Sequence, residues 1–241
     1  MEYEISHRPS YSLLRVKLSE GESITAESGA MVYMSPNVEM HTRSRAGGGI
    51  GGLLKSLKVA ALGAESFWVN TFTAREGDGE VALAPAIPGD VHVLELSNEG
   101  YVVQSGAYLA STSEIEVDTK WQGFRGLLAE GDLFMLHISG TGKLFVAALG
   151  ALEERELVPG ERLTIDNGHL VAWSDSMRYN VRRVGGLKSL VASGEGLVVD
   201  VEGPGRVVLQ TRNPGAFVNW LLPFLSGGER SDRGLGLRLG I

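Results

Sequence analysis

Apolar and polar residues alternate along much of this chain, and the same alternation returns three times. Each copy follows a glycine, Gly29, Gly106 or Gly168, and places apolar residues three, nine and eleven positions later. A charged residue lies between the last two of these positions in every copy. Apolar residues at every second position predict a β-strand with one buried face. The apolar positions are Val32, Val38, Met40, Leu109, Ile115, Val117, Val171, Met177 and Tyr179.

A second repeated feature is a Gly-x-Gly turn between two apolar runs. The first glycines of the three turns are Gly77, Gly140 and Gly203, which are spaced 63 residues apart. A glycine-rich turn between two apolar runs is typical of a β-hairpin. We therefore predict three hairpins, one in each copy of a repeated β module.

The chain is predicted to be all-β, with a single compact domain built from three similar antiparallel modules. Their approximate limits are 10–85, 86–149 and 150–213. A module of about 63 residues is marginally stable alone. We expect the three modules to pack their apolar faces together in a sandwich and to pair their open strand edges, which protects those edges from aggregation.

Composition and charge exclude several classes of function. The chain has 241 residues, of which 43% are apolar, and this proportion is typical of a globular protein. Its net charge of −7 makes nucleic-acid binding an unfavoured reading. The absence of cysteine excludes disulfides, zinc–thiolate sites and thiol nucleophiles. We find neither a signal peptide nor an apolar run long enough to span a bilayer, so we expect a cytoplasmic protein.

The glycine-rich segment 45–66 satisfies the pattern G-x-G-x-x-G but not the context that nucleotide binding needs. A phosphate-binding P-loop has glycine directly before its lysine, whereas Leu54 precedes Lys55 here. A dinucleotide fold needs a buried parallel strand before the glycines, whereas an alternating strand precedes this segment. "GGLLKSL" returns as "GGLKSL" in the third module, so we interpret the segment as a repeated connector. A weaker alternative is contact with a partner or membrane through three leucines, Leu53, Leu54 and Leu57.

No motif in the chain points to a metal, a cofactor or a catalytic group. The five histidines are His7, His41, His92, His137 and His169, and none forms an HxH, HxxxH or HExxH pair. There is no G-x-S-x-G nucleophile motif, and nothing singles out two of the 29 acidic residues. His169 and Trp173 break the threefold pattern, but packing explains both. We predict no catalytic, cofactor-binding or metal-binding residues.

The C-terminal segment has the signals of a helix at 214–226. Asn213 is a suitable N-cap, and Pro214 suits the first helical position. Pro223 should bend or end the helix. Helical spacing places Phe217, Trp220, Leu221 and Phe224 on one face.

That face has two readings. We expect the helix to dock on a sheet. The alternative is an exposed apolar patch that binds another subunit or a membrane surface. The segment 227–241 is predicted to be a mobile tail.

Several stretches together resemble a known family over about residues 1–225. They are "AESFWVNTF", "GHLVAW", "GEGLVVDVEGPGRVVLQTRNP" and the glycine-rich segment, and the part from Gln210 to Pro214 is the most specific. The family is the one named for altered inheritance of mitochondria, formerly a domain of unknown function. The resemblance implies a fold similar to the tryptophan RNA-binding attenuation protein, with three repeats around a pseudo-threefold axis. It implies no established activity.

Two functional hypotheses follow. The first is a non-catalytic binding or scaffold protein that forms a homo-oligomer and contacts a protein partner or a membrane surface. The alternative is a small-ligand-binding protein or an uncharacterised enzyme with a pocket between repeats.

Overall fold

The structure is a computed structural model that describes residues 1–44, 67–119, 135–183 and 197–225. Within these ranges the chain is mostly β, every ladder between named strands is antiparallel, and one α-helix follows the last strand. This confirms the predicted class. The strands are β1 (Glu2–Ser6), β2 (Leu13–Leu18), β3 (Ser23–Glu27), β4 (Met31–Met34), β5 (Val38–Ser44), β6 (Trp68–Ala74), β7 (Gly79–Leu83), β8 (Val91–Gln104), β9 (Tyr108–Thr112), β10 (Ile115–Asp118), β11 (Met135–Ala147), β12 (Leu152–Leu157), β13 (Arg162–Asp166), β14 (Leu170–Ser174), β15 (Arg178–Arg183), β16 (Leu197–Glu202) and β17 (Gly205–Gln210). The helix is α1 (Pro214–Leu225), and two short 3-10 turns cover Ser105–Ala107 and Asn167–His169.

The strands of the described ranges form three sheets. The first sheet has the order β1-β2-β7-β4, and the third has the order β13-β16-β15. The large second sheet has the order β12-β17-β14-β8-β11-β9-β3-β6-β5, with β10 also paired to β11. The long strands β8 and β11 pair along their whole length and connect the two ends of this sheet. Three clusters of buried apolar side chains form the core.

The predicted hairpins at the Gly-x-Gly turns are wrong. At Gly77 the chain leaves β6 in the large sheet and enters β7 in the first sheet, and these two strands do not pair. At Gly203 it passes from the third sheet to the large sheet, while at Gly140 the strand β11 continues through the turn. Gly77 has φ of +107° and Gly140 has φ of +125°, which are conformations open mainly to glycine. The glycines therefore turn the chain between sheets, or carry it onward, instead of folding it back on itself.

Of the predicted apolar positions, five are buried, Val117 and Tyr179 are half-buried, and Val32, on β4, and Met40, on β5, are exposed. These two side chains are 55% and 42% exposed, and β4 and β5 are the outermost strands of their sheets. The expected pairing of open edges occurs between β9 and β3 and between β14 and β8. The outer edges of β4 and β13 carry no ladder among the described residues.

Some predictions concern residues outside the described ranges. The connectors between β5 and β6, β10 and β11, and β15 and β16 include residues 45–66, 120–134 and 184–196. The three leucines of the first connector, Leu53, Leu54 and Leu57, therefore lie outside the described residues, as does the tail 227–241.

Candidate binding surface

The segment after β17 is fastened to the body by side-chain hydrogen bonds. Gln210 is buried, and its Oε1 accepts from the Leu149 N–H at 3.0 Å while its Nε2 donates to the Gly168 carbonyl at 2.8 Å. The Thr211 Oγ1 accepts from the Ala151 N–H at 2.9 Å. The residues most specific to the family resemblance therefore anchor the end of the last strand.

Asn213 connects this anchor to the helix. Its Nδ2 donates to the Asp166 Oδ1 at 3.2 Å, and its Oδ1 accepts from the Ala216 N–H at 3.2 Å. The second bond is the side-chain cap of a helix N-terminus, so the predicted N-cap is confirmed. Gly168 makes room for Asn213, because a Cβ on Gly168 would lie 2.1 Å from the Asn213 Nδ2. Pro214 is the first residue of α1, as predicted.

The helix itself buries none of its residues. Phe217 is 43% exposed, Trp220 61% and Phe224 68%, and the flanking Val218 and other large apolar side chains are also exposed. The prediction that this helix docks on a sheet is therefore wrong. The exposure that the alternative reading requires is present, and binding to another subunit or a membrane stays a prediction. The helix continues two residues past Pro223 and ends at Leu225. The helical spacing of the apolar residues predicts an apolar face, but it does not predict whether a sheet packs against that face.

The predicted contact residues of α1 do come together. The Phe217 and Trp220 rings stack with centroids 6.0 Å apart, and the Trp220 and Phe224 rings lie 5.2 Å apart. Leu221 is half-buried next to them. We call Phe217, Trp220, Leu221 and Phe224 the helix face.

The structure has a second exposed apolar surface that sequence reasoning missed. All four residues of β4 are exposed, with Met31 at 38%, Tyr33 at 42% and Met34 at 36%. Apolar runs of the same kind occur in β9 and β14, whose residues are buried or nearly so. No local signal in the sequence could have separated β4 from these two strands.

Asp90 is the most buried charged group of the described residues. Arg8 donates to it from Nε and Nη2, each at 2.8 Å, and the Ser12 hydroxyl donates at 2.7 Å. Burial by itself would raise the pKa of Asp90, but the hydrogen bonds from Arg8, Ser12 and the Val91 N–H outweigh burial and lower it. All four bonds come from the protein itself, so this carboxylate has a structural role.

Three histidines, His92, His137 and His169, each contact another residue of the same chain. His92 lies 2.7 Å from Glu154, and His137 lies 2.9 Å from Asp175. His169 meets the Gln210 carbonyl at 2.7 Å through Nδ1, while Trp173 packs in the core. Among the described ranges no three His, Asp or Glu side chains converge as metal ligands would.

A shallow cleft of about 250 Å³ lies between the first two predicted modules. Residues 84–89 form one wall, and Tyr11 and Ser12 complete the lining. The Ser12 hydroxyl is already engaged with Asp90. The cleft therefore offers a ligand mostly apolar atoms and backbone groups.

Within the part of the chain that the structure describes, no helix is both long and apolar enough to cross a bilayer. The 12 residues of α1 extend for only about 18 Å.

Together these features define an antiparallel β protein with an exposed apolar helix anchored at its C-terminal side. The family described as "Mitochondrial biogenesis AIM24" matches residues 3–212, and the chain belongs to this family. The uncharacterized protein M6_Spy0233 of Streptococcus pyogenes serotype M6 is 30% identical over 228 residues, which cover 93% of this chain and 91% of that protein. The crystal structure of the protein SPYM3_0169 from Streptococcus pyogenes superimposes with a TM-score of 0.76 at 29% identity, covering 92% of this chain and 99% of that one. The family resemblance seen in the sequence is thereby confirmed.

Proposed function

We propose that this chain is a non-catalytic binding and scaffold protein that self-associates and holds a partner protein through α1. The observation that carries the proposal is that hydrogen bonds of Asn213 fix the N-terminus of α1, and yet no residue of the helix is fully buried. A helix that is apolar on all sides is normally covered by something. We propose that the partner supplies that cover, and that the protein works in the cytoplasm.

The chemistry of α1 favours a groove in a protein. The helix face follows the spacing i, i+3, i+4 and i+7, which is how helices insert anchor side chains into apolar grooves. Trp220 and the two phenylalanines are the kinds of residue that dominate binding energy at such contacts.

A membrane surface fits α1 less well. Helices that lie on membranes usually carry Lys and Arg on a polar face, whereas α1 has no charged residue and the whole chain has a net charge of −7. Electrostatic attraction to anionic lipids is therefore absent from the helix. A membrane is the second outcome that the experiment below distinguishes.

We also propose that the β body consists of three equivalent units around a pseudo-threefold axis, similar to the tryptophan RNA-binding attenuation protein. One support is a shared irregularity. The ladders β4–β7, β9–β11 and β14–β17 each have a register shift directly after the same position, two residues beyond Gly29, Gly106 or Gly168. Such bulges are specific structural features and not random defects.

The order of strand pairing is a second support for three units. One order of pairing is β2-β7-β4 in the first unit and β12-β17-β14 in the third. In the second unit the first half of β8 pairs with the second half of β11, which pairs with β9. A second pattern recurs as β3-β6-β5 and β13-β16-β15, with β8, β11 and β10 as the middle copy.

The experiment for α1 is a pulldown from native cells with three forms of the tagged full chain. The first is wild type, the second is F217A/W220A/F224A on the helix face, and the third is the matched control V218A/L222A on the flanks. Because each anchor contributes about 2 kcal/mol or more, the second form should lose more than about tenfold in affinity for the captured protein. The control should retain it.

Other outcomes are equally informative. Equal capture by the wild type and the helix-face variant would overturn the proposed role of α1. Flotation with neutral phosphatidylcholine vesicles, lost only in the helix-face variant, would replace the protein partner by a lipid surface. A single metal, nucleotide or amino acid that raises Tm by several degrees would favour the ligand-binding alternative instead, because a ligand at 100 times its Kd adds about 2.7 kcal/mol of stability.

A further inference from the structure

The exposure of β4 is exceptional among the strands that follow the three repeated glycines. The strands β9 and β14 occupy the equivalent position, and their residues 108–111 and 170–173 are all buried. In β4 the equivalent residues 31–34 are all exposed, although they are just as apolar. The side chains of β4 therefore suit a buried strand, but the part of the chain that the structure describes places no second strand beside β4.

What covers β9 and β14 is a strand from the unit before. β9 pairs antiparallel with β3, with Ser111 opposite Thr25. β14 pairs antiparallel with β8, with Trp173 opposite Val102. Ser111 and Trp173 each lie five positions after the repeated glycine of their own unit. Their partners, Thr25 and Val102, each lie four positions before the repeated glycine of the preceding unit. The two contacts thus share one register.

Applying the same register to the remaining edges identifies the missing partner of β4. Met34 lies five positions after Gly29, and Thr164 lies four positions before Gly168. Thr164 belongs to β13, which is the outermost strand of the third sheet and pairs only with β16 among the described residues. Thr164 is exposed, whereas Thr25 and Val102 at the equivalent position are buried.

We propose that β4 of one copy of this chain pairs antiparallel with β13 of a second copy, with Met34 opposite Thr164 and Tyr33 opposite Ile165. The proposal rests on the self-association and the three units proposed above. A body closed around a threefold axis would pair β4 with β13 of the same chain, but the described residues form no such ladder, so here the second copy supplies that contact. The second copy is the occupant because neither β4 nor β13 has a strand along its outer edge within the described ranges of one chain. The contact adds a strand to an exposed sheet edge, so backbone hydrogen bonds supply affinity and the exposed apolar side chains supply specificity.

This contact joins two different surfaces of the chain. Such a head-to-tail interface leaves one β4 edge and one β13 edge open after every step, and it therefore builds either a ring or an open row of copies. The four residues of β4 include neither the lysine nor the proline that commonly protect a free edge. An edge without such protection is suited to pairing.

The test uses the fact that the chain has no cysteine of its own. M34C and T164C are made in separate chains, mixed and mildly oxidised. Directly opposed strand residues approach closely enough for a disulfide. We expect a disulfide-linked species of twice the chain mass in the mixture, formed at least about tenfold faster than in either variant alone. Both positions are exposed, so the fold should tolerate both changes.

Two controls calibrate this reaction. T25C/S111C in one chain samples the same register inside the molecule and should form an intramolecular disulfide. M34C mixed with R162C shifts the partner by two residues along β13, and it should react at least about tenfold more slowly. Failure of M34C with T164C, while T25C/S111C reacts, overturns the proposal.

A chain that carries both M34C and T164C distinguishes a second copy from closure within one chain. Cross-linked multimers are expected, whereas an intramolecular disulfide alone would overturn the proposal. Light scattering on the wild type reports self-association separately. If the wild type is an oligomer but no cross-link forms, only the β4–β13 contact fails, and if the wild type is a monomer at every concentration, the proposed self-association fails as well.

A charge variant tests the same contact without sulfur chemistry. M34K places a charge on the proposed interface, and M40K is the matched control on β5, where the methionine is similarly exposed. We expect M34K to raise the dissociation constant of self-association by at least about tenfold and M40K to leave it unchanged within about threefold. The reverse result would overturn the proposal.

Discussion

At the scale of single residues, polar side chains hold the segment between β17 and α1 to the rest of the chain. Gln210 bonds two backbone groups that lie far from it in sequence, and Asn213 both bonds Asp166 and caps α1. The sequence identified Asn213 as a cap because the signal is local. It could not identify the partners of Gln210, because Leu149 and Gly168 meet it only in the folded chain.

Asp90 gives a prediction about acid. Its pKa is lowered in the folded state, so its stabilising contribution is present above the unfolded pKa of about 3.9 and is lost as the pH falls through the folded value. D90N should lower the free energy of unfolding at pH 7 by about 1–3 kcal/mol. Urea unfolding at pH 7 and pH 3 should then show a smaller acid-induced loss in D90N than in the wild type.

Asp200, which is only half-buried, is the control for this prediction. The Arg182 hydrogen bond lowers the pKa of Asp200 as well, but the pair lies at the surface, where salt screens it. D200N should therefore have a smaller effect, and one that fades in 1 M salt. An acid-induced loss in D90N equal to that of the wild type would contradict the role assigned to Asp90.

At the scale of elements, strands with the same pattern of apolar residues differ in how far those residues are buried. Val32, Leu109 and Val171 occupy the same offset from their glycines, yet Val32 is exposed and the other two are fully buried. Strand periodicity reports which residues share a face. Whether that face is covered depends on a neighbouring strand, and among the described strands β4 has no counterpart of the neighbours that cover β9 and β14.

Substitution to aspartate tests this difference between strands. V171D places an unpaired charge in the core and should cost more than about 4 kcal/mol, which leaves little or no folded protein. V32D should change the free energy of unfolding by less than about 0.5 kcal/mol, since its side chain meets water. E116D should be nearly silent for the same reason. Thermal melting followed by circular dichroism measures all three, and a folded V171D would contradict the described core.

At the scale of the whole molecule, the buried core and the exposed apolar helix belong to different parts of the chain. The buried residues lie in the β body, whereas α1 contributes exposed apolar surface and no buried residue. The body and the helix are joined through Gln210, Thr211 and Asn213. A partner that covers α1 therefore would not need to disturb the core.

Removal of the helix tests this division. A chain that ends after Asn213 should unfold with a free energy within about 1 kcal/mol of the wild type, because no fully buried residue is lost. Q210A, which breaks two internal hydrogen bonds, should cost about 1–3 kcal/mol and serves as the positive control. Urea denaturation gives both values, and a fall of several kcal/mol on removing the helix would mean that α1 docks on the body.

The sequence by itself determined what depends on neighbours along the chain. The alternation defined most of the strands, the paired signals of Asn213 and Pro214 located the start of the helix, and the glycines marked the turns. Tertiary structure decided which strands pair, because pairing joins residues dozens of positions apart and periodicity contains no information about the partner. For that reason only the folded chain shows that the glycine turns at Gly77 and Gly203 lead from one sheet to another, that no residue of α1 is fully buried, and that β4 and β13 each end a sheet of the described residues.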